Sequence, residues 1–159
     1  MRRLALATIL VVALAGFATG PAAASPPKTA SGTSSFLSDA FTPIRNAGAN
    51  SFFLEQASLS YAGDLVGGAS DVDVFVARGD YFRAHGTETC TDCTIGGRGP
   101  GDFTAVFTYE GTSNATGFTY SGHLTFLGGT GGLSGLHGQG TSSGNEAANN
   151  YSYSYFFTP

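Results

Sequence analysis

The sequence predicts an all-β protein whose antiparallel sheet closes into a barrel, and three observations carry that prediction. Apolar residues recur with a period of two, the strand period, from Phe52 to the C-terminus. Turn residues interrupt the alternation at short intervals: Gly67-Gly68, Arg78-Gly79-Asp80, Gly96-Gly97, Gly99-Pro100-Gly101, Ser113-Asn114 and Gly128-Gly129. Isolated glycines at Gly122, Gly135 and Gly138 weaken a flat sheet but permit the coiling that closure demands. Closure also removes the exposed edges through which an aromatic-rich sheet would aggregate.

The first 24 residues read as a secretory signal peptide: Arg2 and Arg3, an uncharged apolar run from Leu4 to Phe17, then Ala22-Ala23-Ala24 ahead of Ser25-Pro26-Pro27. The apolar run is shorter than the roughly 20 residues of a spanning helix, which leaves secretion as the expectation. Cleavage after Ala24 leaves 135 of the 159 residues, enough for one domain with a sizeable core. Residues 25 to 35, rich in Pro, Ser, Thr and Ala, read as a flexible leader, and 36 to 159 as the single barrel domain.

Strands are expected at Phe52 to Tyr61, Asp71 to Arg78, Tyr81 to Cys90, Gly101 to Gly111, Thr116 to Gly128 and Tyr151 to Phe157. In the fourth, Phe103, Ala105, Phe107 and Tyr109 share one face. In the fifth, Phe118, Tyr120, Gly122, Leu124 and Phe126 alternate against Thr119, Ser121, His123 and Thr125. The last puts Tyr151, Tyr153, Tyr155 and Phe157 on one side.

Charge excludes some partners. Without Arg2 and Arg3 five basic residues face 11 acidic ones, a formal charge of −6 with no basic cluster, so neither nucleic acid nor an anionic membrane surface is an expected partner. Charged residues make up only 11% of the chain while glycine supplies 24 positions, a composition that suits exported β-proteins.

Cys90-Thr91-Asp92-Cys93 is the sharpest local motif. In an exported chain it reads as a disulfide across a β-turn, whose ends lie within about 7 Å. A redox role wants a helix N-terminus, which Gly/Thr-rich strands do not supply. A zinc site with His85 has three ligands where zinc takes about four. No metal and no cofactor is expected.

Acid/base candidates are few: Glu88, Glu110 and His123, with Asp71 and Asp73 sharing one strand face. A carboxylate buried in an apolar lumen has a raised pKa and can act as general acid or base, whereas the common fate of each is solvation at the surface. Asp71 and Asp73 alone fall short of the roughly six to eight oxygens that calcium takes.

Gly128 to Gly140, reading GGTGGLSGLHGQG, resembles the glycine pattern near the end of allene oxide cyclase and dirigent barrels. Together with Tyr61-Ala62-Gly63-Asp64-Leu65-Val66-Gly67 it looks closer to an uncharacterised group of secreted bacterial proteins in that superfamily. The resemblance spans residues 31 to 143 and implies about eight antiparallel strands, a cavity open at one end, and a homodimer or homotrimer. It carries over no site residue.

Function turns on whether the aromatic face points into the barrel. An inward face forms a solid core or a cavity for one small ligand. The principal expectation is therefore a barrel that binds or steers a small apolar or aromatic molecule, touched by Phe107, Tyr109, Tyr120 and Phe126. One alternative is a cyclase or isomerase using Glu110 or Glu88. The other is a non-catalytic extracellular or envelope protein.

Overall fold

The computed structural model describes residues 26–115, 117–145 and 148–159. The expected signal peptide lies outside the described residues. Eight strands run in sequence order around a closed barrel: β1 (Lys28–Ala47), β2 (Asn50–Gly63), β3 (Leu65–Arg78), β4 (Tyr81–Ile95), β5 (Arg98–Asn114), β6 (Gly117–Gly129), β7 (Leu136–Asn145) and β8 (Asn149–Phe157). Every neighbouring pair is antiparallel, and β1 closes the ring against β8 from Lys28↔Tyr155 to Ser34↔Asn149.

The leader expected over residues 25 to 35 is corrected here, because Lys28 to Ser35 belongs to β1. Its inward residues are Ala30, Gly32 and Ser34, too small to register as an apolar face. Their smallness is what the fold uses: Gly32 lies opposite Tyr151, and Ala30 opposite Tyr153. The same device recurs around the barrel. Tyr109, Tyr153 and Tyr155 lie opposite Gly122, Gly140 and Gly138, so rings fold over strand positions that carry no side chain.

The aromatic face points inward. Phe103, Phe107, Phe126, Tyr151, Tyr153 and Tyr155 are all buried, as are Leu124, Leu136 and Phe157. On β6 and β8 the outward positions are largely Thr and Ser, with Thr119, Ser121, His123 and Thr125 on β6 and Asn150, Ser152 and Ser154 on β8, whereas β3 turns Val66, Val72 and Val74 outward.

One end of the barrel is sealed. A single 3₁₀ turn, Gly131–Leu133, drives Leu133 into the core beside Phe103 and Leu136. Its backbone packs so close to β5 that a Cβ at Gly101 would meet the carbonyl of Thr130. The Tyr61-to-Gly67 motif closes the same end. The Asp64 carboxylate accepts from Ser31 N–H at 2.9 Å, and the Tyr151 hydroxyl accepts from Leu65 N–H at 2.8 Å.

Cys90 and Cys93 form the expected disulfide, fully buried near that end. The chain does not reverse between them as expected for a β-turn. Cys90 pairs with Phe103 and Cys93 with Gly101, so β4 holds one extra residue, a bulge that the disulfide spans. Asp92 takes the left-handed conformation (φ 52°), and its N–H donates to Asp102 at 3.0 Å. Closing so short a loop stabilises modestly. Cys90→Ala combined with Cys93→Ala is expected to lower stability by about 2 kcal/mol in urea denaturation. An unchanged midpoint would show that the bulge holds without its bridge.

Candidate functional site

The opposite end of the barrel is open, and its inner wall is aromatic. Phe36 meets Tyr120 edge-on, Tyr120 leads to Phe118, and Phe118 stacks on Phe82 at 5.3 Å between centroids. Phe82 in turn stacks on Phe75 at 4.9 Å, and Phe75 meets Phe41. These rings come from β1, β3, β4 and β6, and they line a cavity of about 490 Å³ together with Tyr109, Ala84, Asp39 and Glu55. That volume falls in the range of small-molecule sites. Phe36 and Phe41 remain 43% and 44% exposed at the rim.

Below the cavity the interior turns acidic. Glu55 on β2 faces Asp73 directly across to β3, and Asp71, two residues earlier on the same inward face, sits directly opposite Glu88 on β4. Glu55 is half-buried at the cavity wall, whereas Asp71, Asp73 and Glu88 are at most 5% exposed. Glycine makes this floor: a Cβ at Gly86 would collide with the Asp73 side chain and the carbonyl of Val72.

Few donors reach these acids. Glu88 accepts from the Tyr61 hydroxyl at 2.8 Å, while its Oε1, the Oδ1 atoms of Asp71 and Asp73, and the Tyr153 hydroxyl have no hydrogen-bond partner among the described residues. Burial disfavours the ionised form of a carboxyl group that lacks compensating donors. Desolvation, reinforced by Asp73 and Asp39, lifts Glu55 to about 8, and Glu55 shares its proton with Asp73. Asp73 rises less, to about 6, since that hydrogen bond and His85 oppose its burial. Desolvation and mutual repulsion raise Asp71; burial raises Glu88 in spite of Tyr61.

The structure distributes the expected site residues over three places. Tyr109 and Tyr120 line the cavity. Phe107 and Phe126 lie deeper, in the closed core with Leu124 and Tyr153, and do not line it. Glu88 is inside, beneath the floor. Glu110 and His123 are on the outer wall, where they edge a shallow groove with Arg83 and Thr108. Glu110 is engaged there, accepting from the Tyr81 hydroxyl at 2.8 Å and lying 3.8 Å from Arg83. Surface solvation, expected for Asp71 and Asp73, is corrected: both project into the barrel.

Sequence reading missed Phe36, Phe41, Phe75, Phe82 and Glu55. Phe82, Ala84, Gly86 and Glu88 alternate on one face of β4, and extending that face across β3 would have gathered Phe75, Asp73 and Asp71. Phe36 and Phe41 gave no such signal, because β1 carries bulges between Phe36 and Ser38 and between Pro43 and Arg45 that break the period. No group of three or more His, Cys, Asp or Glu side chains among the described residues is arranged to hold a metal ion.

No protein-family model and no curated protein matches this chain. Among solved structures the chain is similar to a protein of unknown function of the DUF3224 family from Shewanella oneidensis MR-1, with a TM-score of 0.65 at 17% identity, covering 84% of this chain and 99% of that one. At that identity the likeness is one of fold alone.

Proposed function

We propose that this protein is an exported carrier or steering barrel that holds one small, largely apolar or aromatic molecule in its open end. The observation that carries the reading is the cavity of about 490 Å³ walled by aromatic rings over a floor of buried acids. Exposing these rings to water has a cost that a filled core would avoid. The acids have a cost too, since Asp71, Asp73 and Glu88 each keep one buried oxygen without a donor. An apolar wall with a few convergent polar groups is the ordinary form of a small-molecule site.

Two further features support it. The barrel is sealed at its other end by Leu133 and the 3₁₀ turn, so a ligand has one mouth to enter. The outer faces of β6 and β8 carry Thr, Ser, Asn and His, so the exposed apolar residues of the other strands, Leu54, Val66, Val72, Val74 and Val106 among them, do not make the unbroken apolar band of an outer-membrane barrel, which favours the aqueous form over a membrane-embedded one. The resemblance to allene oxide cyclase and dirigent barrels agrees with a lumenal site. A cyclase reading asks for a carboxyl group at the cavity wall. Glu110 faces away and Glu88 lies beneath the floor, which leaves Glu55 and Asp39 as the acids in that position.

Ala84 sits in the cavity wall between Phe75 and Tyr109 on the neighbouring strands. Ala84→Leu fills the space without touching a charged group. Nile red, a neutral dye that brightens in apolar surroundings, is expected to bind the native protein and to lose at least about tenfold in affinity with this variant, its melting temperature staying within a few degrees. Equal dye binding by both proteins would place the dye elsewhere and sink the reading.

A further inference from the structure

We propose that the cavity selects a protonated amine borne on an aromatic or apolar body, its ammonium group set against Glu55 and Asp73 and its body against the ring collar. The inference rests on the cavity being a ligand site and adds the chemical class of the ligand.

Charge is the first argument. The ionisable side chains at the cavity wall are Asp39 and Glu55 together with the phenols of Tyr109 and Tyr120, and Asp73 pairs with Glu55 directly across to β3. No Lys, Arg or His lines the cavity among the described residues. Glu55 and Asp73 share one proton, which leaves one negative charge on the pair near neutral pH. An anionic ligand such as a fatty acid would meet that charge with no cation at the wall to offset it, a repulsion that is strong where water is scarce.

Hydrogen bonding is the second. Asp73 is 5% exposed and its Oδ1 has no partner; the same is true of Asp71 behind it. Both carry an acceptor in want of a donor, one and two inward positions along β3 from Phe75 of the cavity wall. An ammonium group supplies three N–H donors, an alcohol one, and an ether or a hydrocarbon none. A charge-assisted bond to a carboxylate is roughly twice as strong as a neutral one.

The rings are the third. Phe41, Phe75, Phe82 and Phe118 present a run of π faces and edges from several strands around one volume. Such cages attract cations as well as apolar groups, and attract most strongly when the cation has left water. Aromatic walls alone would hold any apolar ligand. Aromatic walls joined to unsatisfied carboxyl groups discriminate in favour of a cation.

The test is a competition against Nile red at pH 7 with three ligands of one shape: 1-naphthylmethylamine, 1-naphthylmethanol and 1-naphthylacetate. The amine is expected to bind at least about tenfold more tightly than the alcohol, with the carboxylate weakest. Glu55→Gln, close in shape and free of charge, is expected to pull the amine-to-alcohol ratio down towards about one, and Asp73→Asn to reduce it independently. If Nile red binds in the cavity but the alcohol or the carboxylate equals or exceeds the amine, this inference fails and the ligand site stands. If neither Nile red nor any of the three binds, the ligand site itself fails, and the selectivity with it.

Discussion

Taking this protein from pH 9 to pH 5 is expected to raise its melting temperature by about 10 °C or more, the reverse of the acid sensitivity common in proteins whose carboxylates are paired. The cause is the interior acids. Glu55 rises from an ordinary 4.5 to about 8 and Asp73 from 3.8 to about 6, both chiefly through desolvation, and Asp71 and Glu88 are pushed the same way. A carboxyl group whose folded pKa exceeds its unfolded one binds its proton more tightly in the folded state. Its contribution is therefore complete below the unfolded pKa, near 4, and is lost as the pH climbs through the folded values. The window runs from about 4 to about 9.

A pKa difference of one unit corresponds to about 1.4 kcal/mol, and four groups act together. A total of even about 3 kcal/mol moves the midpoint of a domain of this size by about 10 °C. Asp71→Asn removes one titrating group, keeps its shape, and is expected to raise the melting temperature at pH 8 while flattening the pH dependence. Differential scanning calorimetry across this range decides the matter. A melting temperature that stays level or falls from pH 9 to pH 5 would mean that water reaches these carboxyls and that the floor of the cavity is wet.

How much of this was legible beforehand depends on which residues carried a period. The alternation of Phe103 to Tyr109, of Phe118 to Phe126 and of Tyr151 to Phe157 gave three strands and an aromatic face on each, while the inward direction of those faces came only with the structure. Closure followed from the glycines. Strand β1 was illegible, because its paired residues near β8 are small and its later half is bulged, and with it went Phe36, Phe41 and the rest of that strand's share of the cavity wall. The acidic floor was legible only in part. Asp71 and Asp73 share a face in any strand, but Glu55 lies opposite Asp73, and Glu88 opposite Asp71, only by cross-strand register. A run of residues shows which side chains share a face. It does not show which strands lie side by side, nor how far one is slid along the next, and the candidate site is built from those two facts.

The glycines that revealed closure also give the sharpest test of how the barrel is packed. Gly140 on β7 pairs directly with Tyr153 on β8, and Tyr153 is fully buried, stacked on Tyr151 at 4.9 Å and edge-on to Phe126 at 5.4 Å. Its ring folds across the space where a side chain at 140 would stand. A Cβ there would lie 2.6 Å from both Cα and Cδ1 of Tyr153 and would collide with the Ser152 carbonyl. Two of these atoms belong to the backbone of the neighbouring strand, so the clash cannot be relieved by a rotamer change. β8 must move away from β7, opening the ladder next to the strand that closes the ring.

Gly140→Ala is therefore expected to destabilise the protein by more than about 3 kcal/mol, near the top of the range for a single methyl group. Gly68→Ala is the control. It adds the same methyl on the outer face of β3, where the nearest atom is the Leu59 carbonyl at 3.9 Å, and is expected to shift stability by less than about 0.5 kcal/mol. Urea denaturation of the two variants separates a packing requirement from the general loss of glycine flexibility, which both share. Equal effects would mean that the glycines serve the backbone alone. A large difference would show that the tyrosines of β8 specify the barrel through the empty positions opposite them.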